Sequence, residues 1–353
     1  MSEDTFRSHH GFDLTSLEQP DNEASLPKSY RVLKSMKVGE FAEKIAEEKE
    51  LNPLQLRFWV MVNRQNKTMR PDTVIQDPEM TIEEAYSRHA TKGHQFRVWL
   101  EVGQGSSDGT VSWPDSTTSV LVFLKNFDVP AQTLSGLGAV YVRRNQKVAD
   151  LAPTILEMMD WPAGTEFILY EEIKHTMIEL MKPKQTFQQS EIQDGDIITF
   201  QRAIKESDLP STAIYPDAKA YYDYLVNRVN ITFAPIKAVE NEEFTLVLSK
   251  KMSYDQFSMK VGEHLGVDHT HLRFSTVVAN TGKPRGFIKR NANQTAQTLQ
   301  SIMTSQITGY GISVARHDAL YYEVLETSLS DFESKVCLRV TWLSEGITKE
   351  VSY

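Results

Sequence analysis

The sequence predicts an α+β protein assembled as a tandem array of small units. Three observations carry this. First, one series of signals recurs three times at a spacing of roughly 105–110 residues: an amphipathic helix, a strand shortly after it, and a closing strand further on. Second, the segments match in kind. The helices are VGEFAEKIAEE from Val38, VADLAPTILEMM from Val148 and YDQFSMKVGEHL from Tyr254. The strands after them start at Leu56, Glu166 and Leu272, and the closing strands at Phe96, Asp196 and Leu320. Third, the period is too long for a solenoid repeat of about 20–50 residues, so each repeat is a domain with its own core.

The first unit, residues 1–103, begins with SEDTF, which alone remains to supply a first strand, so that strand is expected to be truncated. Gly11 to Pro27 has no apolar periodicity and reads as a mobile loop, with His9 and His10 exposed before it. YRVLK (Tyr30 to Lys34) reads as a strand. Val38, Phe41, Ala42 and Ile45 then form one helical stripe. Thr81 and Glu84 frame a capping box at a short helix. Phe58, Trp59 and Trp99 read as core and interface residues, since Phe58 and Trp59 lie on opposite strand faces and one of the group can meet the next unit. GQGSSDG (Gly103 to Gly109) predicts a flexible first joint. Its glycines precede no helix and make no phosphate loop.

The second unit, residues 113–204, opens with the strand pair SVLVFLK (from Ser119) and GAVYVRR (from Gly138). Its helix carries Pro153, which predicts an irregular first turn. Residues 205–228 form a linker whose Ala218, Tyr221, Tyr222 and Leu225 sit at helical spacing, predicting a stiffer second joint. The third unit, residues 229–329, repeats the strand pair with NITFAP and EFTLVLSK, and Ser253 with Gln256 caps its helix. Residues 330–353 read as a strand, a turn at SEG and a second strand, the opening hairpin of a fourth unit.

A hairpin followed by one helix must cover a sheet face, or the helix stripe stays wet. The smallest arrangement that does so is a mixed sheet wrapped over one helix. By analogy this is the β-grasp, so the expected architecture is three β-grasp (ubiquitin-like) domains plus the first hairpin of a fourth.

Composition bounds the function. Lys and Arg number 38 against 47 Asp and Glu, a net charge of −9. The first two units carry the excess and the third is nearly neutral. Such a balance disfavours general nucleic-acid binding and suits capture of basic peptide segments. No apolar run approaches a membrane span and the start lacks signal-peptide character. The single cysteine, Cys337, excludes an intrachain disulfide or a cysteine-built zinc site, and it fits a reducing compartment, cytosol or nucleus. It alternates within VCLRVTW and reads as a structural strand residue.

Several polar groups invite sharper readings. His264, His269 and His271 fall within eight residues but lack further ligands to complete a zinc site, so a loop cluster is favoured. Glu171 and Glu172 are adjacent in a strand and face opposite sides, which disfavours joint acid–base work. Lys283, Arg285, Lys289 and Arg290 form a solvated basic loop, or a contact for an acidic partner. The turn SEIQDGDI brings Glu191, Asp194 and Asp196 close together. It reads as a solvated turn or as a cation-binding patch, in which an incoming ammonium relieves mutual repulsion.

The segments FRSHHGFDL (from Phe6), YRVLKS…EFAEKIAEE (Tyr30 to Glu48), LRFWVM (from Leu56), FILYEEIK (from Phe167), DGDIITFQ (from Asp194), LPSTAIYPDAKAYYDYLVNRVNITF (from Leu209) and ALYYEVLETSLSDFE (from Ala319) resemble the C-terminal region of the ubiquitin-specific protease 7 family. The resemblance runs in order along essentially the whole chain. It implies the first three of five ubiquitin-like domains and the first hairpin of the fourth. It also implies that this segment is catalytically inert, because the family's cysteine and histidine boxes are absent and Cys337 lies in a different context. No cofactor is implied. The implied role is docking of Lys/Arg-rich partner segments through Glu191, Asp194 and Asp196, with Ser190 standing where the family has an aspartate. The segment would also space the protease's own catalytic domain from its C-terminal activating domains, in the nucleus or cytoplasm. Two other readings are an adaptor of ubiquitin-like domains unconnected with proteolysis and an enzyme with its site at a domain junction. The second lacks a convergent polar constellation.

Overall fold

Strand alternation and helix stripes place most of the elements in the computed structural model where the sequence puts them. It describes residues 1–16, 22–90, 95–103, 105, 111–209, 214–236, 243–290, 297–304, 315–336, 339–344 and 347–352. The chain divides into two compact units, Met1–Val226 and Asn227–Tyr353. The fold is α+β. No helix among the described residues is long and apolar enough to cross a membrane.

In the first unit, helix α1 (Glu3–Arg7) precedes α2 (Val38–Lys49), strands β1 (Leu56–Asn63) and β2 (Met69–Val74), helix α3 (Ile82–His89) and strand β3 (Val98–Val102). The strands form a sheet of order β2-β1-β3, both pairs antiparallel. Val38, Ile45 and Ala46 of α2 pack over Leu56, Phe58 and Val60. Thr81 caps α3 with Glu84 in a reciprocal capping box.

The next part of this unit contains β4 (Ser119–Asp128), β5 (Thr133–Arg143), a 3₁₀ turn (Val148–Leu151) running into α4 (Ala152–Met159), β6 (Phe167–Lys174), β7 (Met177–Leu180), β8 (Asp196–Arg202) and α5 (Ala218–Asn227). Pro153 produces the irregular first turn that the sequence predicts. The sheet order is β5-β4-β8-β6-β7, with β4 and β8 parallel and the other pairs antiparallel.

Three expectations for this unit are corrected. SEDTF forms no strand; Glu3–Arg7 is helical and buries Phe6 completely. Tyr30–Lys34 is not paired into the sheet. The corresponding strand β5 pairs only with β4, and no equivalent of β4 stands beside β3 among the described residues. The described part of the Gly11–Pro27 stretch is held in place, with Leu14 and Ser25 buried, and His9 before it is buried too.

The flexible first joint is likewise overturned. Trp59, Met61 and Trp99 share a buried cluster with Phe6, Leu121, Phe123 and Ile197. Trp99 meets Phe123 edge-on at 4.7 Å between ring centroids. Strand β4 is apolar on both faces: Val120, Val122 and Leu124 enter one core, while Leu121 and Phe123 enter this shared one. Burial of several aromatic side chains, each worth roughly 1.5–3 kcal/mol, outweighs the freedom of a glycine-rich connection.

The second unit, Asn227–Tyr353, repeats the architecture. It contains β9 (Arg228–Pro235), β10 (Phe244–Ser249), α6 (Tyr254–Leu265), β11 (Leu272–Val278), β12 (Pro284–Phe287), α7 (Leu299–Thr304), β13 (Ala315–Val324), α8 (Leu329–Glu333), β14 (Arg339–Ser344) and β15 (Ile347–Ser352). The order β10-β9-β13-β11-β12, with β13 parallel to β9, matches the earlier five-stranded sheet position for position. Ser253 and Gln256 cap α6 as expected, and Gly266 ends it at φ 69°. Strands β14 and β15 form the predicted antiparallel hairpin. Cys337 lies outside the described residues.

Candidate functional site

The acidic turn lies between β7 and β8, pressed against β2. Gly195 adopts φ 86°, and a Cβ there would lie 2.5 Å from the carbonyl oxygen of Pro71. Glycine is therefore required both by conformation and by close approach. The three predicted carboxylates occupy three different environments. Glu191 is exposed. Asp194 is half-buried: its Oδ1 accepts the Leu121 N–H at 2.7 Å, and its Oδ2 lies 4.0 Å from Arg144. Burial pushes its carboxyl above the usual carboxylate value. Asp196 is buried, ion-paired through Oδ1 with Arg64, and its Oδ2 accepts the Gln193 N–H at 2.8 Å. Arg64 also donates to the Asp194 carbonyl at 2.6 Å.

The acidic surface extends to residues that the sequence reading did not assign to it. Glu171 on β6 faces Glu179 on β7 in register. Burial pushes the Glu171 carboxyl up to about 7, and the charges of Asp196, Glu179 and Glu191 add to that shift against Arg64. Glu179 and Glu191 thus bear on Glu171, with Arg64 opposing them. A ligand ammonium placed there gains from three carboxylates and draws the proton off Glu171.

Behind this surface lies a buried ionic hub. Lys125 and Glu172, both fully buried, are 2.7 Å apart. Lys125 Nζ also donates to the carbonyls of Gly11 at 2.9 Å and Asp13 at 2.6 Å. Arg70 from β2 pairs with Asp13 and lies 3.5 Å from Glu172. Tyr222 of α5 donates to Glu172 and contacts Thr199 at 2.8 Å. Burial holds the Tyr222 hydroxyl protonated well above its usual range. One buried carboxylate thereby ties together the N-terminal segment, both sheets of this unit and α5. Sequence reasoning placed Glu171 and Glu172 on opposite faces, and they are: one at the surface, one in the hub.

The remaining candidates separate. His264 stacks on Phe244, His269 Nδ1 lies 3.6 Å from Asp268, and His271 Nδ1 meets the Leu325 carbonyl at 3.1 Å. Among the described residues no group of three His, Cys, Asp or Glu is placed to hold a metal ion. In the basic stretch, Arg290 pairs with Asp255 at 2.7 Å.

Residues 56–303 match the family model described as the ICP0-binding domain of Ubiquitin-specific protease 7. The chain belongs to the ubiquitin-specific protease 7 family. Similar proteins include Ubiquitin carboxyl-terminal hydrolase 15 of Schizosaccharomyces pombe, 30% identical across 99% of the chain and 31% of that relative. Ubiquitin C-terminal hydrolase 13 of Arabidopsis thaliana is 29% identical across 90% of the chain and 28% of its own length. Ubiquitin carboxyl-terminal hydrolase 7 of Drosophila melanogaster is 22% identical across 99% of the chain and 29% of its length. The chain therefore spans less than a third of these deubiquitinases, and the matched family region is a protein-binding one.

Proposed function

We propose that this chain is a non-catalytic docking array of a ubiquitin-specific protease. It would consist of three ubiquitin-like β-grasp domains, 1–103, 113–204 and 229–329, with 205–228 as linker and 330–353 as the opening hairpin of a fourth. The two five-stranded sheets of identical order support that division. Its task is to hold Lys/Arg-rich segments of partner or substrate proteins on the acidic face of the second domain. In the longer protein it spaces the catalytic domain from C-terminal activating domains, in the nucleus or cytoplasm. The observation that carries the reading is the run of carboxylates at one turn, Glu191, Asp194 and Asp196, with Glu171 and Glu179 facing each other on β6 and β7, in a region whose family model is named for binding a protein.

Within this patch the roles differ. Glu191 and Asp194 contact the partner. Asp196 is a positioning residue, since Arg64 already neutralises it. Each exposed ion pair contributes about 0–1 kcal/mol, so binding is modest and salt-sensitive. Anisotropy of a labelled Lys/Arg-rich peptide tests this against Glu191→Gln and Asp194→Asn. The asparagine keeps an acceptor for the Leu121 N–H while removing the charge. Weaker binding in both variants supports the reading, and unchanged binding rejects the patch.

A further inference from the structure

A second feature adjoins the acidic turn. A cleft of about 650 Å³ runs between α2, β1 and the residues around Trp113, and Asp194 stands in its wall. Ala42, Leu54, Leu56 and Ile75 give it an apolar lining, and Leu54 is 68% exposed at its rim. Trp113 closes one side by stacking on the Arg57 guanidinium at 4.0 Å.

The cleft's charge is one-sided. Arg57 is its one lining cation among the described residues, and that charge is spent inside the protein: Nε pairs with Glu101 at 2.6 Å, and a terminal nitrogen donates to Tyr141. Glu101 also accepts the Trp59 indole N–H at 2.6 Å, which fixes the arrangement. Glu43, Asp115 and Asp194 stand in the lining as carboxylates, Asp194 with Arg144 at 4.0 Å. Asp115 is held ionised by hydrogen bonds from Thr117. The result is an apolar trough with acidic edges, in the size range of preformed ligand sites of about 300–1,000 Å³.

We infer that this cleft receives an apolar side chain of the docked basic segment, so that the motif recognised is a hydrophobic residue flanked by Lys or Arg rather than basic charge alone. The inference rests on the docking reading above and deepens it. Lysines alone would engage the acidic edges and leave the trough wet. An adjacent leucine-sized side chain covers Leu54 and Ile75 while the flanking ammonium groups reach Asp194, Asp115 and Glu43. Charge would steer the encounter and the apolar anchor would set specificity.

The test uses the full chain and two synthetic peptides of equal charge, Lys-rich, one carrying a central leucine and the other serine. Binding is followed by tryptophan fluorescence and calorimetry. The leucine peptide is expected to bind about ten- to a hundredfold more tightly, as burial of one such side chain predicts. That ratio should persist in about 1 M salt, where the Debye length is about 3 Å and the basic contribution fades. Leu54→Ser, at an exposed position that leaves the fold intact, should collapse it. Equal binding of both peptides that still depends on Glu191 would overturn the anchor and leave the docking patch standing. A leucine preference untouched by Leu54→Ser would place the anchor elsewhere and overturn this site. Binding of neither peptide would reject the docking reading itself.

Discussion

Replacing Lys125 with methionine removes the charge at the centre of the hub while nearly keeping its volume. Its ammonium is fully buried, pairs with Glu172 and donates to the carbonyls of Gly11 and Asp13. The substitution leaves Glu172 facing Arg70 at 3.5 Å, Tyr222 and the Asp13 N–H at 2.8 Å, and strips the carbonyls of Gly11 and Asp13 of this donor. Breaking a buried ion pair from one side costs about 3–5 kcal/mol, a large share of a typical total of about 5–15 kcal/mol. Glu172→Leu carries a similar cost, because Lys125, the Asp13 N–H and the Tyr222 hydroxyl all lose an acceptor. Replacing both together removes the charges as a pair, so the double variant should be less destabilised than the sum by about 1–3 kcal/mol. It will not regain wild-type stability, since the carbonyls of Gly11 and Asp13 still lack their donor. Urea unfolding followed by tryptophan fluorescence reads this unit, as Trp59, Trp99, Trp113 and Trp161 all lie within Met1–Val226. A cost below about 1 kcal/mol for Lys125→Met, or additivity within about 0.5 kcal/mol, would refute the hub as the tie between these elements.

Other predictions follow from single contacts. Tyr222→Phe removes the hydroxyl bridging Glu172 and Thr199, so α5 should show faster amide exchange and the unit should lose about 1–3 kcal/mol. Gly195→Ala adds a left-handed-region penalty of about 1–2 kcal/mol to a collision with Pro71, whereas Gly164→Ala, at φ 85° with open space around it, should cost only the first part; thermal unfolding of the two variants compares them. Glu171, with its carboxyl near 7, gives a pH signature. Its folded value lies above the unfolded one of about 4.5, so its contribution to stability is present below that value and is lost as pH rises through about 7. Basic-peptide affinity should rise over the same window with proton release, and Glu171→Gln should flatten both profiles.

The elements were legible because their signals are local. Thr81 with Glu84 and Ser253 with Gln256 form capping boxes at the positions read from sequence. Pro153 marked its irregular turn because a missing N–H acts wherever it sits. The joint within Met1–Val226 was misread because glycines in a connection say nothing of what flanks it. The unbroken apolar run Val120–Leu124 carried the better signal, since a strand that is apolar on both faces must be covered on both. Lys125 ending that run marked a buried, paired charge. Asp196 shares strand parity with Ile198 and Phe200 and is buried, with Arg64 as its partner. The identity of that partner was not readable, because 132 residues separate Arg64 from Asp196. Likewise Asp13 and Gly11 read as loop, because a segment gripped through its backbone shows no apolar period.

The carboxylates around the Asp194–Asp196 turn would hold basic segments. Calorimetric titration of a Lys/Arg-rich peptide into the chain at low and moderate salt tests it most directly, with Glu191→Gln/Asp194→Asn alongside the wild type. Binding is expected to weaken with salt and to be lost in the double variant while the fold is kept. Binding that is absent, or indifferent to both salt and the substitutions, would contradict it and leave the turn as a structural joint held by Arg64.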